Sequence, residues 1–229
     1  MGIIHTPMSL CMTPPSEEIS TRICPTSTLC FWLPIFLLCA MIILQIHKRG
    51  DGMAKKMKLT ALIATAITVF CVAVYIFTEN GTALTLAITF GTTSYHLLMR
   101  LLVGFAADRL LHNRMDYTKQ WFRVSAAEQK LYQKLQVKKW KGNFPTYDPT
   151  CFDRRLHSWD EIAQATCQAE LVHEVIILLS FLPLLAAISF GALAVFILTS
   201  VLAACYDAMF VVMQRYNRPR IVKLIEKKK

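Results

Sequence analysis

The sequence predicts an all-α integral membrane protein with about five transmembrane helices and a cytoplasmic interfacial amphipathic helix, N-terminus out and C-terminus in. Three observations predict it. Of the 229 residues, 55% are hydrophobic and only 17% charged, with a mean hydropathy of +0.42; soluble domains have about 25% charged residues. The apolar residues come in blocks approaching the ~20 residues that a helix needs to cross a bilayer. The net charge of +10 is segregated along the chain, so it reads as membrane topology and lipid-facing charge, not as a nucleic-acid surface.

The elements follow in order. Residues 1–29, with Pro14-Pro15, read as a flexible leader. Three spans are expected within residues 30–106: Cys30 to Ile46, Leu59 to Thr78 and Ala83 to Ala106. The first is short, but Glu17 and Glu18 precede it and no A-x-A cleavage pattern follows, which argues against a secretory signal. Glu79-Asn80-Gly81-Thr82 joins the second and third; it fits a glycosylation sequon but reads as turn chemistry hard against the membrane. A cytoplasmic loop is expected over 107–170, then a transmembrane hairpin over 171–213 from Leu171 to Ser189 and Phe190 to Met213. Pro183 should kink or shorten the first arm. A basic tail, 214–229, closes the chain, and Pro219 should break the last helix there.

The cations set the orientation. The first loop carries five, the loop from Asp108 to Glu170 eleven and the tail seven, and both short connections on the opposite side carry none. The positive-inside rule then puts the N-terminus outside and the C-terminus in the cytoplasm. Eight scattered cysteines form no C-x-x-C pair, so neither a zinc site nor a disulfide framework is indicated.

Thr118 to Leu135 reads as an amphipathic helix lying in the interface, with Trp121, Val124, Leu131, Tyr132 and Leu135 on one arc. Glu128 falls in the middle of that arc with no cation at i±3 or i±4, so it must find a cation, a metal or a raised pKa, unless the helix bends there and leaves it solvated. Val137-Lys138-Lys139-Trp140-Lys141 has the composition of an interfacial anchor.

Ionisable residues inside spans are functional candidates by default. His96 and Arg100 share one face of the third span, Glu170, His173 and Glu174 one face of the fourth, and Asp207 lies in the fifth above Arg215. Glu170 and His173 fit two chemistries. In one, Glu170 orients His173 as a general base that activates a hydroxyl for attack on an acyl carbonyl. In the other, His96, Glu128, Glu170 and His173 gather a metal ion. A helix–helix hydrogen bond would equally explain His96, and Asp207 would serve structure by pairing with Arg100 or His96. Arg215, Arg218 and Arg220 suit a carboxylate, phosphate or lipid headgroup.

Glu128 through Lys138-Lys139-Trp140-Lys141 and Pro145, then Ala169-Glu170-Leu171-Val172-His173, then Gln214-Arg215-Tyr216-Asn217-Arg218-Pro219-Arg220, resemble the glycosyl-4,4'-diaponeurosporenoate acyltransferase family over about residues 118–223. Asp207 stands where that family usually has Asn. The resemblance implies an O-acyltransferase of the cell membrane that esterifies a fatty acyl chain onto a hydroxyl of a glycosylated lipid or carotenoid. It implies His173 as base, Glu170 as orienter and Glu128 as acid or second orienter. Substrate-binding roles are expected for Trp140, Lys141, Arg215, Asn217, Arg218, Arg220, His96 and Arg100. No cofactor is expected beyond an acyl donor such as acyl-CoA, and the expected partners are membrane lipids, not nucleic acid. A metal-dependent lipid-modifying enzyme or hydrolase, and a non-enzymatic lipid-binding protein, are the alternatives.

Overall fold

The computed structural model describes residues 53–144, 146, 148–191 and 193–228. The expected leader and first span, Cys30 to Ile46, lie outside the described residues. The helices are α1 (Met53–Thr78), α2 (Gly81–Leu111), α3 (Ala126–Lys134), α4 (Val137–Trp140), α5 (Trp159–Leu179), α6 (Ala187–Phe190) and α7 (Leu193–Glu226). Short 3-10 turns cover Gln120–Phe122, Lys141–Asn143, Pro149–Phe152 and Leu182–Ala186, and there is no strand among the described residues. Four stretches are long and apolar enough to cross a membrane: Ala54–Thr78, Gly81–Leu111, Trp159–Phe190 and Leu193–Glu226.

Apolar side chains cannot drive helices together in lipid, so close packing of small residues and interhelical hydrogen bonds must. The buried positions obey this. Ala61, Ala64 and Cys71 of α1, Ala83 and Ala87 of α2, Ala163, Ala165 and Cys167 of α5, and Ala203 and Ala204 of α7 are all buried, and α1 packs along α2 as α5 packs along α7. Many large apolar side chains point outward: Phe77 is 87% exposed and Ile188 85%. The Thr65 and Ser94 hydroxyls bond at 2.6 Å across α1 and α2. Tyr95 Oη donates 2.7 Å to the Leu179 carbonyl, one of the orphan acceptors at the end of α5, and so ties α2 to the second hairpin.

Several boundaries differ from the sequence expectation. Asn80 caps α2, accepting from the Thr82 N–H at 2.8 Å, in keeping with a turn. The third span runs on to Leu111, and the fourth begins at Trp159, well before Leu171. Ser158 causes the earlier start: it forms a capping box with Glu161. Helix α5 ends just before Pro183 and gives way to a 3-10 turn. The interfacial helix is shorter than Thr118 to Leu135, because Ser125 caps it and forms a capping box with Glu128. Pro219 does not break the last helix; α7 continues to Glu226. Proline removes one backbone bond, to the Arg215 carbonyl, but the side chains of Arg215 and Arg218 are both anchored and hold the helix where that bond is missing.

Candidate active site

The ionisable residues of α2, α5 and α7 gather at one end of the bundle, where α2 ends, α5 begins and the second half of α7 passes. Thr166, Glu170, His173 and Glu174 follow helical spacing along α5 and so share a face. Asp207, Arg215 and Arg218 do the same on α7. Two layers result.

The outer layer is built on Glu170, which is 0% exposed. Its Oε1 accepts from Arg215 Nη1 at 2.6 Å, and its Oε2 accepts from Arg218 Nη2. Arg218, itself only 2% exposed, also donates to Thr166 Oγ1 at 3.1 Å, to the Thr166 carbonyl at 3.1 Å and to the Phe122 carbonyl at 2.9 Å. Arg215 reaches Glu128 Oε1 at 2.9 Å and the Trp121 and Arg123 carbonyls at 3.1 Å each. Two carboxylates and two guanidinium groups therefore balance, and they pin the 3-10 turn Gln120–Phe122 onto α5 and α7. Burial raises the pKa of Glu128, but the Ser125 backbone N–H and Arg215 outweigh it and hold the carboxyl below its usual range.

The inner layer is built on Asp207, also 0% exposed. One oxygen accepts from Arg100 Nη2, and the other lies 3.0 Å from His173 Nδ1. The His173 ring stacks on Phe210 with centroids 4.5 Å apart and planes 9° from parallel. Phe210 in turn meets Tyr206 at 5.2 Å and Phe144 at 5.5 Å. In the neutral ring, a hydrogen bond from Nδ1 to the carboxylate fixes the tautomer and leaves Nε2 with its lone pair. Nε2 has no hydrogen-bond partner among the described residues, and the side chain is 21% exposed.

This corrects two expectations. Glu170 does not orient His173, because both its oxygens are taken by arginines; Asp207 is the partner. Nor do His96, Glu128, Glu170 and His173 gather a metal: among the described residues no three His, Cys, Asp or Glu side chains converge as ligands. The guanidinium groups already neutralise the two carboxylates. Arg218 and Arg215, expected on substrate, are engaged by protein groups.

The remaining candidates lie around these layers. Arg100 also donates to the His96 carbonyl at 2.8 Å, while the buried His96 ring nitrogens and Arg100 Nε find no hydrogen-bond partner among the described residues. Lys141 Nζ donates to Asn217 Oδ1 at 2.5 Å. Arg220 lies over the Tyr216 ring at 4.2 Å and donates to its hydroxyl at 2.5 Å. Trp140 Nε1 donates to the Leu135 carbonyl at 3.0 Å and its ring meets Phe144 at 5.4 Å. Glu174 accepts from Trp121 Nε1 at 3.1 Å. Sequence reasoning missed the Asp207–His173 pair and the aromatic wall of Phe144, Tyr206 and Phe210. The Ser-x-x-Glu spacing at Ser125 was a readable signal for the Glu128 cap.

Two outcomes follow from the outer layer. Glu170→Ala leaves the buried Arg218 guanidinium without a carboxylate, and Arg215 with Glu128 alone, and should destabilise the fold by about 3–5 kcal/mol, measured by denaturation in detergent; a loss below 1 kcal/mol contradicts the central placement. Glu128 has a folded pKa below its unfolded one, so its contribution is complete above the unfolded pKa and is lost as pH falls through the folded pKa. The stability gap between wild type and Glu128→Gln should be constant around neutral pH and close below the ordinary carboxylate range; a gap that widens on acidification contradicts the pairing.

Residues 114–227 match the family model described as glycosyl-4,4'-diaponeurosporenoate acyltransferase. No curated protein and no solved structure matches the chain. The matched segment contains Glu128, Lys141, Glu170, His173, Asp207 and the arginines of α7, while α1 and α2, with His96 and Arg100, precede it. Through this half, which carries the outer layer and the His173–Asp207 pair of the inner one, the chain belongs to the glycosyl-4,4'-diaponeurosporenoate acyltransferase family.

Proposed function

We propose that the protein is a membrane-embedded O-acyltransferase that esterifies a fatty acyl chain onto a hydroxyl of a glycosylated lipid or carotenoid at the cytoplasmic leaflet. The observation that carries this reading is the His173–Asp207 pair, with Nδ1 bonded to the carboxylate at 3.0 Å and Nε2 unpartnered among the described residues. Acyl transfer to an alcohol needs a base for the hydroxyl proton and a fixed tautomer to receive it.

The acceptor oxygen attacks the acyl carbonyl of a thioester donor such as acyl-CoA while Nε2 of His173 takes the hydroxyl proton. The tetrahedral adduct collapses, the carbonyl–sulfur bond breaks, and the imidazolium returns the proton to the departing thiolate. Asp207 keeps the Nδ1–H tautomer and stabilises the transient imidazolium. Arg100 fixes the other Asp207 oxygen, so the carboxylate cannot swing away. Phe210 holds the ring plane, and with Tyr206 and Phe144 it offers an apolar wall to the acyl chain. Glu170 and Glu128 assemble the site without touching the reacting atoms. The cation-rich loop and tail support a site open to the cytoplasm with the N-terminus outside.

The test is comparative lipidomics of cells carrying wild type, His173→Gln or Asp207→Asn at matched membrane levels. Loss of a positioned general base should lower acyl transfer by about 10²–10⁴-fold, seen as one acylated glycolipid that disappears. Undiminished product in His173→Gln overturns the assignment. Unchanged lipids in every strain, with lowered stability in the variants, favour a non-enzymatic lipid-binding protein.

A further inference from the structure

The cations of α7 divide into two kinds. Arg215 and Arg218 are paired with Glu128 and Glu170. One turn further on, Arg220 and Lys223 make no ion pair within 4.0 Å among the described residues, and neither do Lys138 and Lys141, which the α4 segment brings alongside. Tyr216 is the hub of this group. Lys141 Nζ lies 5.1 Å from its ring centroid and the Arg220 guanidinium 4.2 Å. Arg220 and Lys223 line a cleft beside Tyr216, with Tyr132 of α3 among its lining residues. Burial, followed by the charges of Arg220 and Lys138, pushes the Lys141 ammonium below its usual range. Like charges held together without a carboxylate repel one another, so the arrangement is one that an anion would relieve.

We propose that this cationic group around Tyr216 is a phosphate-binding site, held by Lys141 and Arg220 with Lys223 one turn beyond, for the phosphate group of an amphiphilic ligand. Arg220 keeps two guanidinium nitrogens uncommitted after bonding Tyr216, and Lys141 keeps two N–H donors after bonding Asn217. Both suit phosphate oxygens, which favour several convergent charged donors. The site is joined to the catalytic layer. The segment that carries Lys141 also carries Phe144, which packs on Phe210, and Phe210 stacks on His173. Along α7, Asn217 and Asp207 are separated by about 15 Å at 1.5 Å per residue. A ligand anchored here by its phosphate reaches His173 only with a long arm between phosphate and carbonyl. A pantetheine-type thioester has such an arm; the same phosphate chemistry could also come from an anionic lipid headgroup. Use of the site by an acyl donor rests on the acyltransferase reading, but phosphate binding does not.

The test is direct binding to the full-length protein in phosphatidylcholine nanodiscs. Coenzyme A should bind with an affinity that falls as salt is raised, and pantetheine, which lacks phosphate, at least tenfold more weakly. The double variant Lys141→Gln/Arg220→Gln should lose at least tenfold in affinity, while Lys141→Arg/Arg220→Lys retains binding and so controls for folding. In nanodiscs with phosphatidylglycerol, competition against coenzyme A identifies the headgroup as a phosphate source, and undisturbed coenzyme A binding identifies the soluble donor. His173→Gln should bind coenzyme A as wild type does, which separates this site from the acyl-transfer assignment. Equal binding of coenzyme A and pantetheine, unchanged binding by the double variant, or no binding of either phosphate probe overturns the proposal.

Discussion

A carboxylate fully withdrawn from solvent inside a bundle of membrane helices costs several kcal/mol unless charges and hydrogen bonds replace its water. Glu170 meets that condition by accepting from Arg215 on one oxygen and Arg218 on the other. Neither arginine is satisfied by Glu170 alone, and the donors left over go to backbone carbonyls of Trp121, Phe122 and Arg123. One buried charge therefore fixes three things together: the pairing of α5 with α7, the position of the 3-10 turn, and through Glu128 the docking of α3. It also explains why α7 can carry Pro219 and remain a helix.

The inner layer depends on that register. His173 lies one helical turn from Glu170, and Asp207 lies about 12 Å along α7 from Arg215 at 1.5 Å per residue. With the outer layer locked, Asp207 and His173 are brought to hydrogen-bonding distance, and Arg100 from α2 completes the set. Charge balance is thus handled separately in each layer, and the His173 imidazole keeps an uncommitted nitrogen beside an apolar wall. Asp207 stands where the resemblance leads one to expect Asn. A carboxylate there accepts from Arg100 and His173 together, which links α2 to the family-matched half of the chain.

Much of this was legible in the sequence and some was not, for physical reasons. Helical class, the spans within the described residues and the family follow from hydropathy blocks and from motifs such as Gln214-Arg215-Tyr216-Asn217-Arg218-Pro219-Arg220. So did the need of Glu128, Glu170 and His173 for partners, since ionisable groups in apolar surroundings must find them. Which partner each one finds depends on interhelical register, and a single sequence does not encode that locally. Glu170 and His173 share a face and suggest a pair, yet the arginines one helix away compete more strongly for the carboxylate. The capping boxes at Ser125 and Ser158 were written in local spacing and mark the helix starts that hydropathy alone placed wrongly.

The state of the His173 ring is the most direct measure of whether Asp207 sets up the base. Solid-state ¹⁵N spectra of histidine-labelled protein in bilayers, with the His173 signals assigned by their loss in His173→Gln, distinguish the two neutral tautomers. A protonated Nδ1 and a bare Nε2 are expected in wild type, with that preference lost in Asp207→Asn. A protonated Nε2 in wild type, or a spectrum unchanged by Asp207→Asn, would contradict the pairing on which the proposed acyl-transfer mechanism stands.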